Sequence, residues 1–259
     1  MRRTALALIV IVTGVALGGL AWYGPIAQDP AYHVFADQRT LLGVPNFWNV
    51  VSNLAFVLVG LLGLYRCTKD HVDLENRGSY VLFFAAVLMT GFGSGYYHLQ
   101  PHNESLAVDR LAMALSFMAF FSIIIGEFVR HELGRRLLLP FSLFGLFSVG
   151  YWIVTEQLGA GDLRLYAITQ FLPVPVIAII VVFRKSERIR TADILIIGGG
   201  YGLAKVFEFF DMEIYRAVMI SGHTLKHLAA AFSASWLLVI MGRNRNLYQI
   251  KIKPIRRQS

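Results

Sequence analysis

The sequence predicts an all-α membrane protein, a polytopic helical bundle with a seven-helix core and one further helix in front of it. Three observations carry that reading. The 259 residues are 56% hydrophobic and 15% charged, with a mean hydropathy of +0.57, whereas a soluble domain carries about a quarter charged residues. Apolar runs close to the roughly 20 residues that a bilayer-crossing helix needs recur along the whole chain. The basic residues sort to alternate connections between those runs, as the positive-inside rule requires.

Eight spans follow, at 4–23, 47–65, 79–98, 108–129, 136–154, 164–183, 192–210 and 222–241. The first opens "MRRTALALIVIVTG", which has the basic start and apolar core of a signal peptide. Its long apolar run and the poor cleavage site "GGLAWYG" favour a retained anchor over residues 1–24. The second carries Asn49, Ser52 and Asn53, expected to hydrogen-bond between helices. The third ends in "GSGYYHLQPH", where Pro101 interrupts the helix before the fourth begins. Glu127 closes the fourth and is expected to reach water there. The seventh contains "GGGYG", Gly198 to Gly202, whose spacing is not that of a nucleotide loop and which reads as close helix packing. Lys205 and Glu208, one turn apart, read as a mutually neutralising pair. The eighth begins "SGHTLKHL", and Lys226 there is expected to snorkel to the interface. Connections are short and no low-complexity linker divides them. The reading is therefore one domain over residues 25–242, with a polar basic tail over 243–259.

With the N-terminus in the cytoplasm, eighteen of the 24 Lys and Arg fall on the cytoplasmic side. Four, Arg39, Arg110, Arg164 and Arg216, fall on the other, and Lys205 and Lys226 lie inside spans. The sequence pI of 9.7 is thus a topology signal with some affinity for anionic lipid heads, and a nucleic-acid partner is excluded. The expected location is a bacterial inner membrane with both termini cytoplasmic. Cys67 stands alone, so no intramolecular disulfide framework exists.

Alternating spans bring three polar groups to the non-cytoplasmic face: "YHVFADQRTLLGVPNFWNVVSN", "GSGYYHLQPHNESLAVDRLAM" and "SGHTLKHL". His223 and His227 are i and i+4, so both rings leave one helix face and can share a metal ion. Two ligands rarely suffice, and His98 at the end of the third span is the natural third. The competing reading satisfies the histidines with neighbouring hydroxyls or interfacial water. His102 is also i+4 from His98, but Pro101 breaks the shared face and leaves His102 as a loop residue near water.

These residues carry a resemblance. Ser94, His98 four residues on, Asp109 eleven beyond that, and the His223-x-x-x-His227 pair at the start of the last span match the pattern of the alkaline ceramidase family. That family belongs to the CREST superfamily of seven-helix membrane hydrolases. "NFWNVVSNLAF" resembles the family's first core helix, and the likeness runs over about 32–241. It implies a hydrolase of ceramide-like N-acyl lipids that cleaves a linear amide, with membrane lipids as its partners. Zinc would be held by His98, His223 and His227. One departure is plain: the family's acidic calcium-binding segment ends in a Glu where this chain has Asn46, and only Asp37 and Asp29 lie upstream. A Ca2+ site is therefore in doubt, and Asp37 beside Arg39 reads as a surface salt bridge.

The implied chemistry suits the residues. Zinc makes a bound water acidic near neutral pH. Asp109 would accept that water's proton, and Ser94, one turn before His98, would donate to the developing oxyanion. The alternatives are Asp109 paired with Arg110 or capping the fourth span, and Ser94 bonded back to a helical carbonyl. Three function classes remain open: a lipid amidase or sister esterase, a heptahelical receptor with a structural metal, and a transporter. Oligomeric state and acyl length are not legible.

Overall fold

The computed structural model describes residues 3–69 and 76–252. Among them the chain is helical, with α1 (Arg3–Tyr23), α2 (Phe47–Val51), α3 (Leu54–Lys69), α4 (Arg77–Leu99), α5 (Asn103–Phe128) and α6 (His131–Gln157). The remainder comprises α7 (Arg164–Phe171), α8 (Pro173–Phe183), α9 (Thr191–Phe209), α10 (Asp211–Val218) and α11 (Gly222–Ile252). A short 3-10 turn at Pro30–His33 lies between α1 and α2.

Seven segments among the described residues are long and apolar enough to span a membrane: α1, α2 with α3, α4, α5, α6, α7 with α8, and α11 to Arg243. The protein is an integral membrane protein. α9 has 19 residues but carries Asp193, Lys205 and Glu208, which makes it too polar to qualify on composition. It lies against α11 nonetheless, with Asp193 bonded to Arg243 and Trp236 at one end and Glu208 bonded to Lys226 at the other.

Local chemistry sets the breaks. Pro101 ends α4, and His102 caps α5, its Nδ1 accepting from Ser105 N–H while the Ser105 hydroxyl accepts from His102 N–H. α5 thus begins at Asn103 rather than 108. Pro173 opens α8 where its missing N–H costs nothing. Phe84, Ile123, Ile124, Leu237 and Ile240 are buried at the centre of the bundle. Lipid tails are as apolar as leucine, so close approach of small residues sets helix contacts instead. A Cβ on Gly60 of α3 would sit 2.6 Å from the backbone nitrogen of Leu88 in α4, and one on Gly134 of α6 would sit 2.7 Å from Gly126 Cα in α5.

Several expectations change. Glu127 does not reach water: it is buried, with the Tyr80 hydroxyl donating to it at 3.3 Å. α11 runs past the end of the last span as far as Ile252, so the polar basic tail begins as a continuation of that helix. In "GGGYG" only Gly200 faces a close neighbour, Ser233 at 3.1 Å from an added Cβ, while Gly198, Gly199 and Gly202 face open space.

Candidate metal centre and hydrolytic site

One end of the bundle is polar. α4 brings His98 there in its last turn, α5 brings Asp109 in its second, and α11 brings His223 and His227 in its first two. His98, His223 and His227 are all buried, with ligand atoms within 4.8 Å of one another and ring centroids 4.8 to 4.9 Å apart. It is the one group of three or more such residues found among the described residues. Phe35 covers the cluster, with its ring edge-on to His98 at 4.6 Å and to His223 at 4.9 Å.

The donor set fits a metal ion. Ser52 Oγ donates to Asn49 O at 3.1 Å, so it accepts from His227 Nδ1 at 2.8 Å. That fixes the proton on Nδ1 and turns the Nε2 lone pair toward His98 Nε2, 3.2 Å away. Two imidazole nitrogens converging in a buried space, with a third ring beside them, form the nitrogen-rich set that zinc takes.

The first turn of α11 is tied from several sides. Asp211 accepts His223 N–H on Oδ1 at 2.9 Å and Ala36 N–H on Oδ2 at 3.0 Å. Asn49 Oδ1 accepts from Ser221 Oγ and Thr224 Oγ1. Asn49 and Ser52 thus bond across to the α11 segment as expected, while Asn53, between α2 and α3, bonds back to Asn49 O of α2. Asn46 Nδ2 donates to His98 O at 2.9 Å.

A calcium site does not fit the residues present. The Asp37 carboxylate is engaged on both oxygens by Arg39, at 2.8 and 2.6 Å, and Asp29 caps the 3-10 turn. Burial pushes the Asp37 carboxyl up, but the Arg39 side chain and N–H more than offset this and leave it below the usual carboxylate range. The expected salt bridge forms, with Arg39 39% exposed at the surface and Asp37 buried beneath it, where the Asp37 carbonyl accepts from Asn49.

Asp109 is buried and its Oδ1 has no partner; neither an Arg110 bond nor a cap engages it, since the cap is His102. Ser94 makes no bond back to α4 among the described residues, unlike Thr90 one turn earlier, which donates to Ala86 O. Both line an elongated cavity of about 560 Å³ together with His227 and Lys226. The rest of its wall is mainly apolar, Phe56, Phe83, Phe117, Phe120 and Ile177 among it. His102 stands apart, half-exposed beside Glu104. Lys226 does not snorkel: its part-buried side chain turns inward, with the ammonium 2.7 Å from Glu208 and 3.2 Å from His223 Nε2. Glu208 also pairs with Lys205 at 2.7 Å, as expected. Ser52, Asn49 and Asp211 do the positioning, and their only sequence signal was polarity in or beside an apolar run.

Fold and site define a class: an integral membrane helical bundle with a cluster of three buried histidines, one of which, His227, lines an apolar cavity together with the Asp109 carboxylate. The chain belongs to the ceramidase family, whose family model, described as Ceramidase, matches residues 42–251. Over 79 residues it is 33% identical to "Alkaline ceramidase 3" of Mus musculus, a match covering 30% of this chain and 28% of that protein.

Proposed function

We propose that this protein is a zinc-dependent intramembrane hydrolase that cleaves the amide bond of ceramide-like N-acyl lipids, releasing a fatty acid and a sphingoid-type base. One observation carries the reading: His227 of the three-histidine cluster, Asp109 and Ser94 share the wall of a single apolar cavity. The family match and the partial likeness to an alkaline ceramidase support the substrate class. His98, His223 and His227 would hold zinc, which when bound supplies an acidified water and polarises a carbonyl.

The chain's own groups supply the rest. Asp109 takes the proton of the attacking water and returns it to the departing nitrogen as the C–N bond breaks. Its unpartnered Oδ1 leaves it free to do so. Ser94 donates its hydroxyl to the carbonyl oxygen as negative charge builds there. The apolar wall receives the acyl chain and keeps bulk water from the reacting bond. An ester would meet the same groups.

Purified protein should carry about one zinc per chain. His98→Ala, His223→Ala and His227→Ala should each lose it, and His102→Ala should keep it. Asp109→Asn should hold zinc and melting temperature while hydrolysis of an N-acyl sphingoid lipid falls by roughly 10²–10⁴. Unchanged hydrolysis in Asp109→Asn would defeat the mechanism. Zinc lost from His102→Ala but kept by His98→Ala would defeat the ligand set.

A further inference from the structure

Beside the acyl cavity lies a second, of about 300 Å³, lined by Tyr32, Arg110, Tyr166 and Glu208 and sharing Asp109 and Lys205 with the first. The two spaces therefore meet at Asp109. The first is almost wholly apolar; the second sets Asp109, Arg110, Lys205 and Glu208 into its wall, and the proposed hydrolysis uses none of its cations.

Arg110 is 7% exposed. Its guanidinium faces the rings of Trp152 at 4.3 Å, Tyr166 at 5.0 Å and Tyr32 at 5.6 Å. Nη2 donates to Gln28 Oε1 at 2.6 Å, while Nη1 is buried with no hydrogen-bond partner. Aromatic faces attract the charge but do not accept the in-plane N–H groups, and an unpaired buried donor is costly. The nearby acids do not neutralise it. Glu208 already takes Lys205, Lys226 and the Tyr32 hydroxyl, and Asp109 forms no ion pair among the described residues. In the lining of the two cavities taken together, three cations (Arg110, Lys205 and Lys226) stand against two carboxylates (Asp109 and Glu208).

We infer that the smaller cavity binds an acidic group on the amine side of the lipid, a carboxylate, sulfonate or phosphate oxyanion received by Arg110 with Lys205 alongside. The inference rests on the hydrolase reading, which places the acyl chain and the scissile amide, and within the ceramide-like N-acyl lipids it favours those that carry an acidic group on the amine side. Arginine's planar fork suits an oxyanion, which it can meet with two parallel N–H groups.

The test compares N-dodecanoylglycine with N-dodecanoylethanolamine, which share the acyl chain and differ in carboxylate against hydroxyl. On full-length protein in neutral detergent, kcat/KM should favour the glycine conjugate by about tenfold or more, the factor a charge-assisted hydrogen bond carries. Arg110→Gln should bring that ratio close to one, and Arg110→Lys should keep part of it. Lys205→Gln, expected to lower the ratio as well, carries the test if Arg110→Gln does not fold. Equal kcat/KM values in the wild type, or a variant that slows both lipids by one factor, would overturn the inference.

Binding, read as a melting-temperature shift, separates this inference from the hydrolase reading. Preferential binding of the glycine conjugate that Arg110→Gln abolishes, with no turnover of either lipid, would sink the hydrolase and keep the anion site. No binding preference would sink the anion site. Inorganic phosphate that stabilises the protein as much as the lipid does, and erases the preference, would mark a free-anion site and also overturn the inference.

Discussion

Ser52 stands 175 residues from His227, yet its hydroxyl decides which nitrogen of that ring is free. Such a partner leaves no spacing signal, because it comes from a different helix. The histidines were legible because i and i+4 positions share a face whatever the rest of the fold does. Arg110 and Lys226 were visible as charges, but their partners are set by which helices meet, and Lys226 found Glu208 of α9 rather than the interface. If Ser52 fixes the His227 tautomer, Ser52→Ala should weaken zinc binding by about 10–100-fold, as loss of a ligand's supporting hydrogen bond does. Competition with a chelator measures it, and full zinc loading at excess metal checks that the site still forms. Unchanged affinity would assign Ser52 to packing alone.

At the scale of elements, the break at Pro101 was readable, whereas the one at Pro173, inside a single predicted span over 164–183, and those set by packing were not. Pro101 separates α4 from α5, whereas α2 and α3 part at Ser52 and Asn53 with no proline to announce it. The start of α11 is another packed corner. A Cβ on Gly222 would meet the Phe207 carbonyl oxygen at 2.2 Å and Asp211 Cα at 2.8 Å, both backbone, and Asp211 is the residue that receives His223 N–H. Gly222→Ala should therefore cost about 1–3 kcal/mol, as overpacking does, and lower zinc content with it. Gly95, next to Ser94, has nothing within 4 Å of an added Cβ, so Gly95→Ala should melt no lower than the wild type. Thermal melts and zinc content on the two variants decide it. Equal behaviour would mean that the α10–α11 corner yields more easily than its backbone contacts indicate.

Across the whole molecule, one end collects the histidines, Asp109 and Asp211, and hydropathy alone already placed those segments together by alternation. Hydropathy understated α9, since three charges dilute its apolar run. Side-chain partners supply what composition misses. Asp193 in its first turn bonds Arg243, and Glu208 in its last bonds Lys226 in the first turns of α11, so α9 lies along α11 from Lys226 to Arg243. With α9 counted as a crossing, eight crossings would return the chain to the side it left, and the split of eighteen basic residues against four would put that side in the cytoplasm. A reporter fused after Ser259 should accordingly read as cytoplasmic, and one inserted at Gly159–Gly161, in the α6–α7 connection at the polar end, should read as exterior. With both results the hydrolytic site faces away from the cytoplasm. An exterior signal from the C-terminal fusion would remove one crossing, and an inverted pair of signals would keep all eight and turn the site around.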